Sequence, residues 1–433
     1  MLAATLISGI AFAQQNVLTA NYGNARTNSD PNETILTPSN VSPASFGQLF
    51  TLPVDGQIYA QPLYQQNVAI SGNGAHNVVF VETMHNSVYA FDADTPAPPL
   101  WTVNLGPSVP TANYNSVAPT YTDILPENGI LGTPVIDPST GTLYVVAATL
   151  ENGRYIYRLH ALDTGSGAER FGAPVIVSAD VAGAGDSSVS GSVPFIAVQH
   201  IQRPALLLVN GVVYAAFGSH GDGAPYHAWL LGYSAQNIQN RVSVFNPTPN
   251  GGAGAFWQSG RGPAADDGGN IYVVSSNGDT DDVTNFSNNV LRLTPDAKSV
   301  ADWFSPFNVQ TLDDDDDDLG SSGALLIPGT NLLVTGGKQG IVYVLDKTAL
   351  GHTSAHNAAI VQSFNAGAFG IVRHRVPRRQ RPLRDAGQEK NPHAVGNGAN
   401  RSDNIFRPRR SRAYSVWIFT VSGGRKSSRR RGR

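Results

Sequence analysis

Two histidines and one aspartate lie within eight residues in the segment 219–229, and such side chains are common ligands of divalent metals. His220, Asp222 and His227 are therefore candidate ligand-binding residues. His85 occupies a second short polar segment and is a fourth candidate. Neither segment has the tight spacing of a metal motif, and polar side chains also hydrogen-bond to the backbone of turns. The spacing favours polar turns, and segment 219–229 remains the best local prediction of a ligand site.

A run of six aspartates at positions 313–318 is the second group that could do chemistry. Clustered carboxylates can hold Ca²⁺, which binds six to eight oxygen atoms, so Asp313, Asp315 and Asp318 are candidate metal ligands. A calcium-binding loop alternates its acids with small or amide residues, and this run does not. We therefore expect a solvated, self-repelling loop.

The elements that must position these residues are short strands. Segment 132–171 contains three runs rich in β-branched and aromatic residues, at 133–136, 143–147 and 156–162. Two turn-forming sequences, 137–141 and 151–153, separate the runs. This order predicts a small antiparallel meander, which needs neighbours on both faces to be stable.

The meander recurs five times along the chain. Four copies begin at a proline, and these marker prolines are Pro62, Pro134, Pro204 and Pro263. Regular short strands, 45 glycines and 28 prolines favour an all-β array. Because the copies share strand order, we predict an all-β fold: a β-propeller of four-stranded antiparallel blades, with five visible repeats of an incomplete six- to eight-bladed propeller.

The ends of the copies carry a recognisable turn. Asp163, Ser166, Gly167 and Phe171 resemble the tryptophan-docking repeat of propellers of the pyrroloquinoline-quinone (PQQ) type. Other copies keep parts of the same motif: Asp92, Thr95 and Trp101 in the first copy and Trp303 in the fourth. Segment 22–28 also resembles the start of quinoprotein dehydrogenases. The resemblance covers about residues 20–370 and implies a structural role for these turn and aromatic residues.

The resemblance also implies chemistry. Quinoprotein dehydrogenases of this fold hold PQQ at the propeller centre beside Ca²⁺ and use an aspartate as the catalytic base. Many cover the cofactor with a disulfide between adjacent cysteines, but this chain has no cysteine. It therefore has neither that lid nor a c-type haem attachment site. No acid in the sequence matches the family's Ca²⁺ ligands, and no catalytic residue is assigned. PQQ and Ca²⁺ remain cofactors implied by resemblance alone.

The amino-terminal residues predict export. Residues 1–13 form an apolar run that ends Ala11-Phe12-Ala13, a pattern typical of a signal-peptide cleavage site. No later stretch is long enough to span a bilayer, so we expect an extracytoplasmic protein, periplasmic or secreted. Residues 14–60 are rich in Asn, Thr, Ser and Pro and are expected to lie extended on the surface. Residues 14–370 form the predicted propeller.

Past residue 371 the repeats stop and the charge reverses. Residues 373–433 contain 18 Lys and Arg against 3 acids, whereas the whole chain has a formal net charge of −3. One interpretation of 371–433 is a disordered basic tail that binds nucleic acid or another polyanion. The other is a shifted reading frame, because the switch is abrupt and falls within the array.

These observations predict an exported PQQ-like propeller that acts as a binding or scaffolding module, with catalysis left undecided and not favoured. Its partner would be a protein or a polysaccharide. One alternative is a Ca²⁺- and PQQ-dependent dehydrogenase that oxidises an alcohol or sugar. Another is a carbohydrate-binding propeller, suggested by the loops that carry Tyr114, Tyr121 and Tyr226.

Overall fold

The computed structural model describes residues 15–34, 36–43 and 46–367, together with the backbone of Tyr414–Val421. Within these residues, five antiparallel sheets follow one another along the chain, and each is a meander in which strand order matches chain order. We number them blades 1 to 5. The predicted propeller of four-stranded blades is confirmed.

The strands of each blade follow one another in chain order, from first to fourth. Blade 1 contains Leu63–Ile70, Gly74–Glu82, Ser87–Asp92 and Trp101–Asn104. Blade 2 contains Val135–Asp137, Thr142–Glu151, Arg154–Asp163 and Val175–Ile176. Blade 3 contains the split first strand His200–Ile201 and Leu207–Val209, then Val212–Ser219, Trp229–Ser234 and Arg241–Phe245. Blade 4 contains Ala264–Ala265, Ile271–Val274, Val290–Leu293 and Val300–Phe304. Blade 5 contains Leu325–Leu326, Leu332–Gly336, Ile341–Asp346 and Gln362–Asn365.

Three two-stranded pairs lie outside the blades. They are Val109–Pro110 with Glu127–Asn128, Asp180–Ala182 with Ser192–Pro194, and Phe46–Val54 with Tyr414–Val421. The helices in the described residues are short: the α-helix Val309–Asp314 and the 3-10 helices Ala20–Tyr22, Thr111–Ser116, Gln258–Gly260, Leu319–Ser321 and Ala355–Asn357. None of the described helices is long and apolar enough to cross a membrane.

The core consists of apolar layers between neighbouring blades. The second strand of blade 2, Thr142–Glu151, shows why the sequence builds it: Leu143, Val145 and Ala147 face blade 1, while Tyr144 and Val146 face blade 3. Because successive side chains of a strand point to opposite faces, a strand buried on both faces reads as a continuous apolar run.

Residues 17–26, which we call the axial segment, run along the inner edges of the blades. Backbone hydrogen bonds join Val17 to Tyr64 of blade 1, Leu18 to Ile136 of blade 2, Asn24 to Ala265 of blade 4 and Ala25 to Leu326 of blade 5. In blade 3, the carbonyl of Leu206 accepts hydrogen bonds from the side chains of Thr19 and Arg26. A single segment that reaches all five first strands must lie where they converge, at the propeller axis.

The expected surface position of residues 14–60 is therefore wrong for the axial segment. Arg26 is fully buried and donates hydrogen bonds to the carbonyls of Pro263, Ala20 and Leu206 and to the hydroxyl of Thr19. The polar composition of this segment suggested that it is exposed to solvent. Its polar groups instead pair with the backbone groups at the inner edges of the first strands, which would otherwise lack hydrogen-bond partners.

The aromatic that ends blade 1 contacts the turn that ends the third strand of blade 2. The Trp101 indole N–H donates to the carbonyl of Thr164 at 2.9 Å, and an added Cβ on Gly167 would lie 2.7 Å from the Trp101 ring. The turn itself is held by the Asp163 carboxylate, which accepts hydrogen bonds from the backbone of Gly165 and the hydroxyl of Ser166. These contacts join the two blades.

The other repeat residues make related contacts. The Asp92 carboxylate accepts hydrogen bonds from the backbone N–H groups of Asp94 and Thr95. The carbonyl of Phe171 accepts a hydrogen bond from Ile238 in the corresponding turn of blade 3. The Trp303 ring stacks on His352, which follows the third strand of blade 5, with 4.4 Å between ring centroids.

We predict that Gly167→Ala costs more stability than Gly153→Ala. Both glycines have positive φ, +73° and +76°, so a side chain is strained at either position, by about 1–2 kcal/mol. Only Gly167 has a ring in the way, because nothing lies within 4 Å of an added Cβ on Gly153. Overpacking against the Trp101 ring should therefore lower the free energy of unfolding of Gly167→Ala by about 1–3 kcal/mol more than that of Gly153→Ala, as measured by urea unfolding.

The Trp101→Ala background provides the control for this comparison. Removing the ring removes the clash, so the two alanine substitutions should then cost about the same. Equal costs in the wild-type background would contradict the contact between Gly167 and Trp101.

Candidate functional site

One end of the propeller gathers the loops and the polar side chains. In an antiparallel meander, the turns between second and third strands lie at the same end as the connections between blades. His85, His220, Asp222 and His227 lie in the former turns, and residues 313–318 lie in the connection from blade 4 to blade 5. The first strands also begin at this end, so the beginnings of all five blades surround the axis here.

A cavity of about 330 Å³, which we call the axial cavity, lies where the first strands begin. Each blade supplies a residue that precedes its first strand or the main part of that strand, and the axial segment adds Asn21. The lining residues are Asn21, Tyr59, Gln61, Thr133, Arg203, Gln258, Ser259, Gly260, Arg261 and Ser322. It is therefore built by all five described blades and not by one hairpin.

One sequence pattern indicates this cavity, and it consists of the polar residues that precede the marker prolines. Gln61, Thr133 and Arg203 each directly precede a marker proline, and Arg261 lies two residues before the fourth. The residue before a proline is restricted to extended backbone, so equivalent positions present their side chains in the same direction in each blade. Residues far apart in the chain thereby meet in one place.

Three arginines lie close together at the wall formed by blades 3 and 4. An added Cβ on Gly260 would lie 2.6 Å from a guanidinium nitrogen of Arg203, and one on Gly262 would lie 2.7 Å from a guanidinium nitrogen of Arg26. Arg261 lies between these two glycines in the chain. The turn 260–262 thus lies against the guanidinium groups of Arg203 and Arg26 and itself carries Arg261, and glycine allows this close approach.

The electrostatics of this wall follow from the burial of its three arginines in a place where no described lining residue is an acid. Burial, followed by repulsion from Arg261, lowers the pKa of Arg26 to about 9. Burial also lowers the pKa values of Arg203 and Arg261. No aspartate or glutamate is among the described residues that line the cavity. The axial cavity therefore has a positive wall.

His220 is fully buried and is held by aromatic contacts. Its ring stacks on Tyr114 with 3.7 Å between centroids and meets Tyr121 edge-on at 5.3 Å. Neither ring nitrogen has a hydrogen-bond partner in the described part of the chain. Burial, and secondarily the neighbouring His200, lowers the pKa of His220 to about 3, so its imidazole is neutral.

The other predicted ligand residues do not meet His220. The half-exposed ring of His85 lies 3.2 Å from the Glu127 carboxylate. Both ring nitrogens of His227 have partners, the Thr248 hydroxyl at 3.0 Å and the carbonyl of Asp186 at 2.8 Å. These three histidines share one end of the propeller without converging.

Asp222 is exposed to solvent, although protein groups crowd around its carboxylate. Its carboxylate accepts a hydrogen bond from the Tyr226 hydroxyl at 3.3 Å. Reduced solvation raises the pKa of Asp222 to about 6, and repulsion from Asp318 and Asp316 adds to the shift.

The aspartate run is only partly the solvated loop that we expected, because residues 314–316 are exposed whereas its two ends contact protein. It begins in the helix Val309–Asp314, where Asp313 accepts a hydrogen bond from the backbone of Gly278 at 2.8 Å. Asp318 is buried and forms an ion pair with Lys338, while Asp315 is exposed. The acids bind protein groups because the connection between blades 4 and 5 packs on the loop of blade 4.

The donor set of the axial cavity can be compared with the cofactors that the family resemblance implies. Ca²⁺ needs several oxygen ligands, usually with carboxylates among them, and this lining instead offers two guanidinium groups. Across the described residues, no three His, Cys, Asp or Glu side chains form a group that could hold a metal ion. The residues do not fit a Ca²⁺-bound quinone, although positive charge suits the carboxylates of PQQ itself.

Comparison with known proteins supports the fold. No protein-family model and no curated protein sequence matches the chain. Among solved structures, it is similar to the quinohemoprotein alcohol dehydrogenase ADHIIG of Pseudomonas putida HK5, with 14% identity and a TM-score of 0.51. The match covers 83% of this chain and 48% of that enzyme.

Two further structures give the same result. The quinohemoprotein alcohol dehydrogenase of Comamonas testosteroni has 15% identity and a TM-score of 0.51, covering 81% of this chain and 49% of the other. A europium-containing methanol dehydrogenase has 15% identity and a TM-score of 0.51, covering 80% and 57%. The chain spans about half the length of these enzymes. At this identity the likeness shows the fold alone, which is a β-propeller like that of these dehydrogenases.

We predict that His220→Phe reduces the acid sensitivity of the fold. The unfolded chain protonates histidine below pH 6.5, whereas folded His220 stays neutral down to about pH 3, so stability is lost as pH falls below 6.5. At pH 5 this difference corresponds to about 2 kcal/mol. Phenylalanine keeps the stack on Tyr114 and removes the proton site. The free energy of unfolding at pH 7 and pH 5 measures the effect.

His85→Phe is the matched control for the exchange of a histidine for a phenylalanine, because the half-exposed His85 ring lies against Glu127 and not in the stack on Tyr114. An unchanged pH dependence in His220→Phe would show that His220 does not occupy the neutral, buried position described.

Proposed function

We propose that this protein is a binding module that takes a small molecule in the axial cavity. The observation that carries the proposal is that all five blades and the axial segment contribute residues to one cavity. Its volume of about 330 Å³ is near the lower end of the range for small-molecule sites, about 300–1,000 Å³. A rigid set of blade ends suits ligand binding, since the lining residues are fixed by strands.

A Ca²⁺- and PQQ-dependent dehydrogenase is the second candidate, and its support is the fold alone. A general base must lie within hydrogen-bond reach of the proton that it removes. The described lining of the axial cavity contains no carboxylate and no histidine that could serve as this base. The donor set therefore favours binding over oxidation of an alcohol or sugar.

The carbohydrate-binding alternative depended on aromatic loops. Tyr114, Tyr121 and Tyr226 are all buried, so they do not offer ring faces to a sugar. Tyr114 and Tyr121 instead pack around His220. Their loops are part of the core at this end of the propeller.

Location and partners extend the proposal. The apolar residues 2–12 and the small residues that follow support export, so we place the module outside the cytoplasm, in the periplasm or secreted. A protein or polysaccharide partner remains a prediction.

Binding of nucleic acid depends on the basic residues 373–433, which lie outside the described structure except for the backbone of Tyr414–Val421. Residues 1–13 also lie outside the described structure.

We predict that Gln61→Trp blocks the cavity. Gln61 lines it: its side-chain oxygen accepts a hydrogen bond from the backbone N–H of Asn21, and its backbone N–H donates to the Thr133 hydroxyl. A larger side chain at this position would fill the space. Three probes test binding by their effect on thermal unfolding: glucose, citrate and PQQ. At least one should raise the melting temperature of the wild type and not that of Gln61→Trp.

Gln236→Trp is the control, because Gln236 is exposed on a turn away from the cavity. It should respond to the same probe as the wild type does. If no probe stabilises the wild type, or if Gln61→Trp responds equally, the axial cavity is not the binding site.

A further inference from the structure

The positive wall of the axial cavity lacks a counter-charge. Arg26 directs its guanidinium N–H groups at three carbonyls and one hydroxyl, which satisfy its hydrogen bonds without neutralising its charge. The guanidinium groups of Arg203 and Arg261, which line the cavity, form no hydrogen bond or ion pair with any described residue. Three neighbouring cations therefore share a region whose described lining contains no acid.

Such an arrangement is unfavourable without a ligand. A charge removed from water loses solvation, and an opposite charge with good hydrogen-bond geometry is what normally compensates for the loss. Here like charges are also close enough for Arg261 to affect Arg26. Clustered arginines without acids are thus more readily explained by an anion that binds them than by stability of the empty fold.

The neutral side chains of the cavity also present donors. The Thr133 hydroxyl accepts a hydrogen bond from the backbone of Gln61, which leaves its own proton available. The side-chain carbonyl oxygen of Gln61 accepts from the backbone of Asn21, which leaves its NH₂ group available. The side-chain carbonyl oxygen of Gln258 is likewise used, by the backbone of Val274. The free groups of Gln61 and Thr133 are therefore donors, which suit a ligand with acceptor oxygens, whereas the side-chain oxygen of Asn21 is an acceptor without a partner among the described residues.

Size separates an organic from an inorganic anion. The cavity of about 330 Å³ has room for about ten waters at roughly 30 Å³ each. A phosphate or sulfate ion would contact the arginines and leave most of this space to water. A carbon skeleton with more than one carboxylate can reach both the arginines and the donors of Gln61 and Thr133.

We propose that the axial cavity binds a small organic anion with two or more carboxylates, held by Arg203 and Arg261. This inference rests on the proposed binding function and names its ligand class. Guanidinium groups recognise carboxylates through paired hydrogen bonds, and Arg26 adds positive potential from beneath.

Calorimetric titration of the whole protein at fixed ionic strength tests the proposal. Succinate and its uncharged diamide, succinamide, share one skeleton and differ in charge. Citrate, PQQ and inorganic phosphate are the other probes, and PQQ is titrated with and without Ca²⁺. We expect at least one of the carboxylates to bind, succinamide not to bind, and Ca²⁺ not to be needed.

The arginines are tested by substitution. Arg203→Gln and Arg261→Gln should each weaken carboxylate binding by about 10-fold or more, since each removes charge-assisted hydrogen bonds. Arg261→Lys should restore part of the affinity. Arg154→Gln is the matched control, because Arg154 is exposed in blade 2 and does not line the cavity, so it should leave binding unchanged.

Stability of the ligand-free variants separates recognition from folding. Arg261→Gln removes a repelling charge, so its melting temperature without ligand should equal or exceed that of the wild type. A large decrease would assign Arg261 a structural role and overturn its assignment as a ligand residue.

The outcomes distinguish the two proposals. If succinamide or glucose binds the cavity and no carboxylate does, the anion inference is wrong and the binding function stands. If phosphate alone binds, the organic class is wrong. If PQQ binds only with Ca²⁺, the conclusion that the cavity excludes the metal is wrong. If nothing binds to the wild type, both proposals are wrong.

Discussion

The structure depends on the hydrogen bonds between the axial segment and the first strands of the blades. Three of these strands, in blades 2, 4 and 5, contain only two or three residues, and their inner edges would otherwise lack backbone partners. The axial segment supplies a partner to each in turn, and buried Arg26 binds carbonyls from blade 3 and from the residue before blade 4. Apolar layers hold neighbouring blades together, but among the described residues only this segment contacts all five.

The central arginine also determines the character of the cavity beside it. Arg26 satisfies its hydrogen bonds with neutral oxygens, so it fixes the blades and leaves its positive charge in place. Arg203 and Arg261 add two more positive charges to the cavity, and each lies a few residues before the main part of a first strand. Stability and charge are therefore coupled at the axis, and chemistry that requires a cation or a carboxylate base is disfavoured there.

The sequence predicted the blades because local physics determines them. Strands buried on both faces, such as Thr142–Glu151, read as apolar runs, and the turn around Asp163 and Gly167 follows from side-chain and backbone preferences. The cavity was not predicted, since each blade contributes to it at positions roughly 60–70 residues apart and no local pattern links them. The polar axial segment and the two ends of the aspartate run were misjudged for a related reason: composition does not reveal a partner that is distant in the chain.

The axial segment sets an order of events for a chain that is synthesised from its amino terminus. Val17 finds its partner Tyr64 early, but Ala25 pairs with Leu326, about 300 residues later. At about 5–20 residues per second, the segment waits roughly 15–60 seconds for its last blade. During that time the inner strand edges of the first blades are incompletely paired, and such edges can associate with other chains. Completion of the axis, and not formation of any single blade, is thus the step that pairs the last of these inner strand edges.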